Sequence, residues 1–366
     1  MQARSGRIRF RIAAGMLLAL QPLAAQSLPD VPDVDPAGLP GPPGPPRAAR
    51  FDANPRMPHL VPFQGRKSKA DMEKAAGYLA FLTRRGRRDN RPYYQLKLGQ
   101  FLTDLGWDRA ACGVLTAFLS EDVRRLNPDI PEAPDTYSGL FRMALLHEMR
   151  ILARNGRKDV LQKFFSVMQP RSGYEHVLLA ETHMLNGDVP AATAHLDSAC
   201  ASPAGHPESA WGAAYIPMRA AVMACVMGDP ESARKWGGPL DRRGADAEKW
   251  PQWKSAWRIV HEALEQCNHP MMNMTLLPDG SYQGTCTGFI DSVTVEIRIR
   301  DGAPQSVRIL RGIEDRPYSA LEIVPERIQS LRAPTVDCVT GATVTSCAVI
   351  LAAVKAIRQD GSSPQK

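Results

Sequence analysis

The sequence predicts a multidomain chain in which an N-terminal all-α region of helical hairpins leads into a small C-terminal α+β domain. Three observations predict it. Between residues 68 and 266 apolar residues recur at helical spacing, and alternating β-branched runs are scarce. Within that stretch Gly106, Gly156, Gly187 and Gly228 each close an apolar helix pattern, and Ala111, Leu161, Ala192 and Ala233 follow five residues later, early in the next helix. After a break at Cys267–Leu277 the period changes to two: Val293, Val295, Ile297 and Ile299 alternate with Thr294, Glu296, Arg298 and Arg300.

The N-terminus reads as an export signal over residues 1–25. Arg4, Arg7, Arg9 and Arg11 form a basic region, Ile12 to Leu20 is apolar, and Leu23-Ala24-Ala25 offers small residues for cleavage. The chain is therefore expected in the periplasm or outside the cell, peripheral to a membrane, with an uncleaved anchor as the other reading of this segment. This segment carries four Arg and no acid, so its removal lowers the formal net charge from +7 to +3. That balance argues against bulk nucleic-acid binding. Residues 26–66 form a Pro- and Gly-rich spacer. Its run Gly38-Leu39-Pro40-Gly41-Pro42-Pro43-Gly44-Pro45-Pro46 is too short for a collagen triple helix and extends the chain instead. The cluster Arg84-Arg85-Gly86-Arg87-Arg88 lacks interleaved aromatics and reads as a solvated loop.

Residues 67–268 form the helical region. Gly at a helix end supplies the left-handed conformation that terminates it, Asp or Pro starts the next helix, and a small Ala lets the pair approach closely. The clearest copies are Asn186-Gly187-Asp188 before Ala191-Ala192, and Met227-Gly228-Asp229-Pro230 before Ala233. The pattern resembles a tetratricopeptide array, although the glycines are spaced by 50, 31 and 41 residues rather than by the steady repeat of about 34; a plain helical bundle is the other reading. The histidines (His147, His176, His183, His195, His206, His261) are scattered, and His147-Glu148 has no second His at metalloprotease spacing. The region is expected to dock a partner rather than to catalyse.

The C-terminal domain spans 276–366. Pro278-Asp279-Gly280 is a turn, Tyr282 to Gly288 a Gly-punctuated strand, and Asp301-Gly302 a hairpin turn between the alternating strand and a return strand through Val307 and Ile309. Ser319 to Leu331 reads as a helix, Thr335 to Val339 as a short strand or loop, and Ser346 to Arg358 as the final helix.

The most informative segment lies just before that helix: Asp337-Cys338-Val339-Thr340-Gly341-Ala342-Thr343-Val344-Thr345-Ser346. Gly341 allows the backbone to approach a phosphate, the N–H groups opening the helix point at it, and the helix dipole favours its charge. Thr340, Thr345 and Ser346 add hydroxyls, Ala342 keeps the turn narrow, and Thr343 is aimed at the phosphate. The plainer reading is a helix N-cap by Thr345 or Ser346.

The ordered set Asp279-Gly280-x-Tyr282-x-Gly284, the Val293–Ile299 strand with Asp301-Gly302, and Asp337-x-x-Thr340-Gly341-Ala342-Thr343-x-Thr345-Ser346 resembles the FMN-binding domain family, over roughly residues 278–360. In that family FMN is joined by a phosphoester bond to the final Thr of a Ser/Thr-Gly-Ala-Thr motif. The resemblance implies covalent FMN on Thr343, with Thr345 the second candidate, and a recognition motif of Asp337 and Thr340 to Ala342. It implies a flavin transferase for maturation, and electron exchange with a redox partner protein or a membrane electron-transfer complex. Many members carry a His and a Thr-Pro-Gly loop after the return strand; here Leu310 to Tyr318 has neither, which leaves Tyr318, Arg311 and Arg316 as the candidates to meet the flavin ring. A repeat-based interaction or sensor protein with an unflavinylated C-terminal domain is the alternative. A flavin-dependent reductase would need an acid or base beside the ring, and none stands out.

Seven cysteines are an odd number for an exported chain, and no CxxC pair occurs. Cys112, Cys200 and Cys225 sit in apolar helical patterns. Cys338 and Cys347 bracket the Gly-Ala-Thr turn; small apolar packing accounts for both, and a redox pair is the lesser alternative.

Overall fold

A computed structural model describes residues 69–85, 91–125, 135–202, 210–242, 251–269, 274–313, 319–339 and 341–358. The export signal, the spacer, Gly86 to Arg88, Thr340, Arg316 and Tyr318 lie outside the described residues. The described part is mostly helical, with twelve α-helices and a three-stranded antiparallel sheet near the C-terminus. No described helix is long and apolar enough to cross a membrane.

Among the described residues the chain divides into two compact units, 70–169 and 170–358, with Lys69 counted in the second. This division follows packing, whereas the change at 268–276 follows composition. The second unit therefore joins the later helical hairpins to the α+β part in one core.

The first unit holds α1 (Lys69–Arg85), α2 (Arg91–Leu105), α3 (Asp108–Arg125), α4 (Asp135–Arg154) and α5 (Lys158–Val167). Its consecutive helices α2–α3–α4–α5 pack on one another through Leu102, Leu115, Leu119, Leu146 and Leu152, all essentially inaccessible to solvent. Arg154 reaches back from α4 to Asp108 at 2.6 Å, and Asn155 shares the same carboxylate.

The second unit opens with α6 (Gly173–Leu185), α7 (Val189–Ala201), α8 (Ala210–Met227), α9 (Pro230–Asp241) and α10 (Pro251–Gln266). The four glycine junctions turn as their sequence suggests. Gly106, Gly156, Gly187 and Gly228 all have positive φ, between 67° and 80°. Ala111, Leu161, Ala192 and Ala233 are each 0% exposed. Asp188 and Asp229 cap their helices by accepting from Ala191 N–H and Ser232 N–H. Apart from Arg219, helix α8 is apolar on most sides, and it touches α6, α7, α9, α10 and the C-terminal helix (Thr343–Arg358), which bury its residues from Met218 to Val226.

The sheet is β1 (Gly280–Thr287), β2 (Ser292–Arg300) and β3 (Ala303–Arg311), ordered β1-β2-β3. Asp301 and Gly302 both have positive φ (52° and 67°), as a two-residue type I′ hairpin requires. Leu310 and Gln305 are the extra residues at two irregularities in the β2–β3 register. Val293, Val295, Ile297 and Ile299 point inward against α12 (Thr343–Arg358), while α11 (Ala320–Leu331) covers β3.

Helix α12 is the centrepiece. It packs on β1, β2, α8, α10 and α11, and nearly all its residues are buried. Gly284 makes the contact with β1 possible: a Cβ there would lie 2.1 Å from Ala352 O and 2.5 Å from Ala356 N. At its far end Arg358 donates to Cys225 O (2.8 Å) and to Gln266 O, tying α12 to the C-terminal ends of α8 and α10. Lys355 pairs with Glu262 at 2.5 Å, and Glu262 also accepts from Thr287 N–H.

Candidate functional site

The segment leading to the Gly-Ala-Thr turn is an extended loop rather than a strand, and two arginines hold it. Arg219, alone among the apolar residues of α8, donates to Glu181 Oε1 on α6 at 2.7 Å and to Val336 O at 3.1 Å. Arg327 on α11 donates to Asp337 O at 3.0 Å and lies 3.3 Å from Asp337 Oδ1. Asp337 is completely buried. Its carboxylate is thus a fastening for the loop against α11 and does not face outward.

The chain then turns at Gly341, whose φ of 85° is the left-handed conformation that a side chain would strain. Ala342 N–H donates back to Val339 O, and Ser346 N–H to Ala342 O, so α12 begins at Thr343, three residues earlier than its apolar pattern suggests. The N–H groups of Thr343, Val344 and Thr345 precede the first intrahelical bond, which is the anion-binding geometry of a helix N-terminus.

Thr345 and Ser346 therefore do not cap the helix from outside. Both lie inside the first turn, at 2% and 0% exposure. Ser346 Oγ accepts from Val339 N–H at 3.1 Å and donates to Ala342 O at 2.8 Å, closing the turn on itself. Thr345 is buried with Ser346, whereas Gly341 is exposed and Thr343 is 7% exposed.

Thr343 is not isolated. Its Oγ1 lies 3.0 Å from the Tyr215 hydroxyl of α8, and the Tyr215 ring packs on Tyr174 at 5.8 Å between centroids. Burial pushes the Tyr215 phenol well above its ordinary pKa, so it stays protonated and serves as hydrogen-bond donor or acceptor, not as a base. The structure thus brings Asp337, Gly341, Ala342, Thr343, Thr345 and Ser346 into one knot and adds Tyr215, Tyr174, Arg219 and Glu181 to it. Periodicity alone did not reveal these partners. The one signal for Arg219 is its charge within Met218-Arg219-Ala220-Ala221-Val222-Met223, where only a buried partner makes it tolerable.

Three histidines that look scattered in sequence also meet. His176 Nδ1 lies 3.0 Å from His195 Nδ1, His183 stacks on His195 at 5.2 Å, and Asp188 faces His183 at 3.3 Å. Among the described residues no group of three or more His, Cys, Asp or Glu is placed to hold a metal ion. Arg311 pairs with Asp291 at 2.8 Å on the exposed sheet. An open cavity of about 370 Å³ lined by Ser281, Arg298, Arg300, Gln305 and Ser306 contains none of the turn residues. Cys112 and Cys225 are buried as their patterns suggest, whereas Cys200 is only half-buried.

Compared with known proteins, the chain matches no protein-family model, no curated protein and no solved structure.

Proposed function

We propose that this chain is an exported electron-transfer flavoprotein carrying FMN on Thr343, matured by a flavin transferase and served by a redox partner or membrane complex that docks on its helices. The observation that carries the reading is the left-handed Gly341 opening α12 with Thr343 as its first residue. The residues suit a phosphate end: N–H groups with no intrahelical partner at a helix start, a threonine hydroxyl among them, and a glycine where a bulkier residue would be strained. Bound FMN would supply one- and two-electron transfer. Thr343 would anchor the phosphate, the first-turn N–H groups would neutralise it, and Ser346 would hold the turn in shape. Tyr215 occupies the Thr343 hydroxyl and must give way for attachment. The test is intact mass after co-expression with a flavin transferase. A gain of FMN minus water, lost in Thr343→Ala, is expected; no gain overturns the covalent reading.

One observation favours a second reading. Thr343 is shielded beneath Tyr215 and only 7% exposed, which suits a repeat-based interaction or sensor protein whose C-terminal domain is never flavinylated. Protein that stays colourless with the transferase present supports that reading.

A further inference from the structure

The two cysteines that bracket the Gly-Ala-Thr turn meet in the core. Cys338 Sγ lies 3.9 Å from Cys347 Sγ, with Cys347 fully buried and Cys338 5% exposed. Cys338 ends the extended segment held by Arg219 and Arg327; Cys347 lies in the second turn of α12. The adjacent residues already fasten these two stretches, through the bond from Val339 N–H to Ser346 Oγ. The sulfurs need to close the gap to an S–S bond of about 2.05 Å. A buried cation stands by: the Arg219 guanidinium acts electrostatically on both sulfurs. Burial opposes the Cys347 thiolate, but the Cys338 thiol and the Arg219 guanidinium outweigh it and draw its pKa below the ordinary value; burial drives that of Cys338 up.

We propose that Cys338 and Cys347 are a disulfide-forming pair that clamps the Gly341–Thr343 turn to the start of α12. The oxidant is a small-molecule or protein disulfide. The Cys347 thiolate attacks one of its sulfurs, forming a mixed disulfide and expelling one donor thiolate. The Cys338 sulfur, losing its proton, then attacks the Cys347 sulfur and expels the second donor thiolate, and the two released thiolates carry away two protons and two electrons. The clamp rests on packing alone and does not depend on whether Thr343 carries a cofactor.

The test uses the full-length protein, refolded from denaturant in glutathione buffers from fully reduced to fully oxidised, then acid-quenched, alkylated and digested with trypsin without reduction. Both cysteines fall in one tryptic peptide, Ala333–Lys355. The expected result is that this peptide, in oxidising buffer, carries no alkyl group and is about 2 Da lighter than its dithiol form, and that reductant restores two alkylation sites. Recovery of a doubly alkylated peptide in the most oxidising buffer overturns the proposal, as does linkage of either cysteine to a different peptide. Cys338→Ser is expected to leave Cys347 alkylated; if that variant does not fold, the wild-type mapping still decides. Amide exchange across Gly341–Ser346 tests the clamp itself: faster exchange after reduction supports it, and unchanged exchange overturns it.

Discussion

Replacing Arg219 by Met tests the knot beneath the turn. Arg219 and Glu181 form an ion pair at 2.7 Å with side chains 3% and 2% exposed, and Arg219 also holds Val336 O. Breaking one partner of such a pair strands the other charge in a water-excluded core, at a cost of about 3–5 kcal/mol. The lost bond to Val336 adds about 1 kcal/mol. Methionine fills much of the arginine volume, so the loss reports charge and hydrogen bonding more than a cavity. Urea unfolding followed by tryptophan fluorescence suits the measurement, because Trp236 and Trp257 lie in the second unit. The double variant Arg219→Met/Glu181→Met removes both charges and is expected to recover most of the loss, since a buried pair replaced by packed apolar side chains is often neutral or better. A single variant within about 1 kcal/mol of the parent would refute the reasoning, as would a double variant no more stable than the single.

Gly284→Ala is expected to destabilise the second unit by at least about 2 kcal/mol, because the new methyl meets the backbone of α12, which cannot rotate away; denaturant midpoints check it. Burial, only partly offset by the Thr116 hydroxyl, pushes Glu148 up to about 7 from 4.5. Folding therefore takes up a proton there: the associated stability is full below pH 4.5 and is lost as pH rises through about 7. Glu148→Gln, compared with the parent by thermal unfolding, should leave stability unchanged in acid and raise it by up to about 3 kcal/mol above neutrality. His195 moves the other way. Burial first, then the neighbouring His183 and His176 charges, lower it from 6.5 to about 4. Its neutral form is the folded one, so stability is present above pH 6.5 and is lost as pH falls toward about 4. The site is partly exposed, so solvent screening reduces the effect to the order of 1 kcal/mol; His195→Gln should flatten an acid titration of stability over that window.

Much of the fold was legible because it is written in local chemistry. Gly187-Asp188 and Gly228-Asp229 state a helix end and the next cap within two residues, and both behave so. Asp301-Gly302 states a type I′ turn, and Val293 to Ile299 state which face of β2 is inward. The sequence pattern starts α12 at Ser346, just before the apolar run that begins at Cys347, whereas the left-handed Gly341 turns the chain into a helix as early as Thr343. Asp337 reads as a recognition residue in isolation; its burial against Arg327 is invisible until α11 is docked.

Local pattern by itself determined the element types, the hairpin junctions, the inward face of the sheet and the Gly-Ala-Thr turn, since each depends on backbone preferences and burial periods that span a few residues. Tertiary structure alone decided that Tyr215 sits on Thr343, that Glu181 neutralises Arg219 and that Cys338 faces Cys347. The first pair joins residues 128 positions apart in the chain. Such partners are chosen by how helices pack around α8 and α12, where a buried charge or hydroxyl is stable only beside its complement, and no local period records which complement that is.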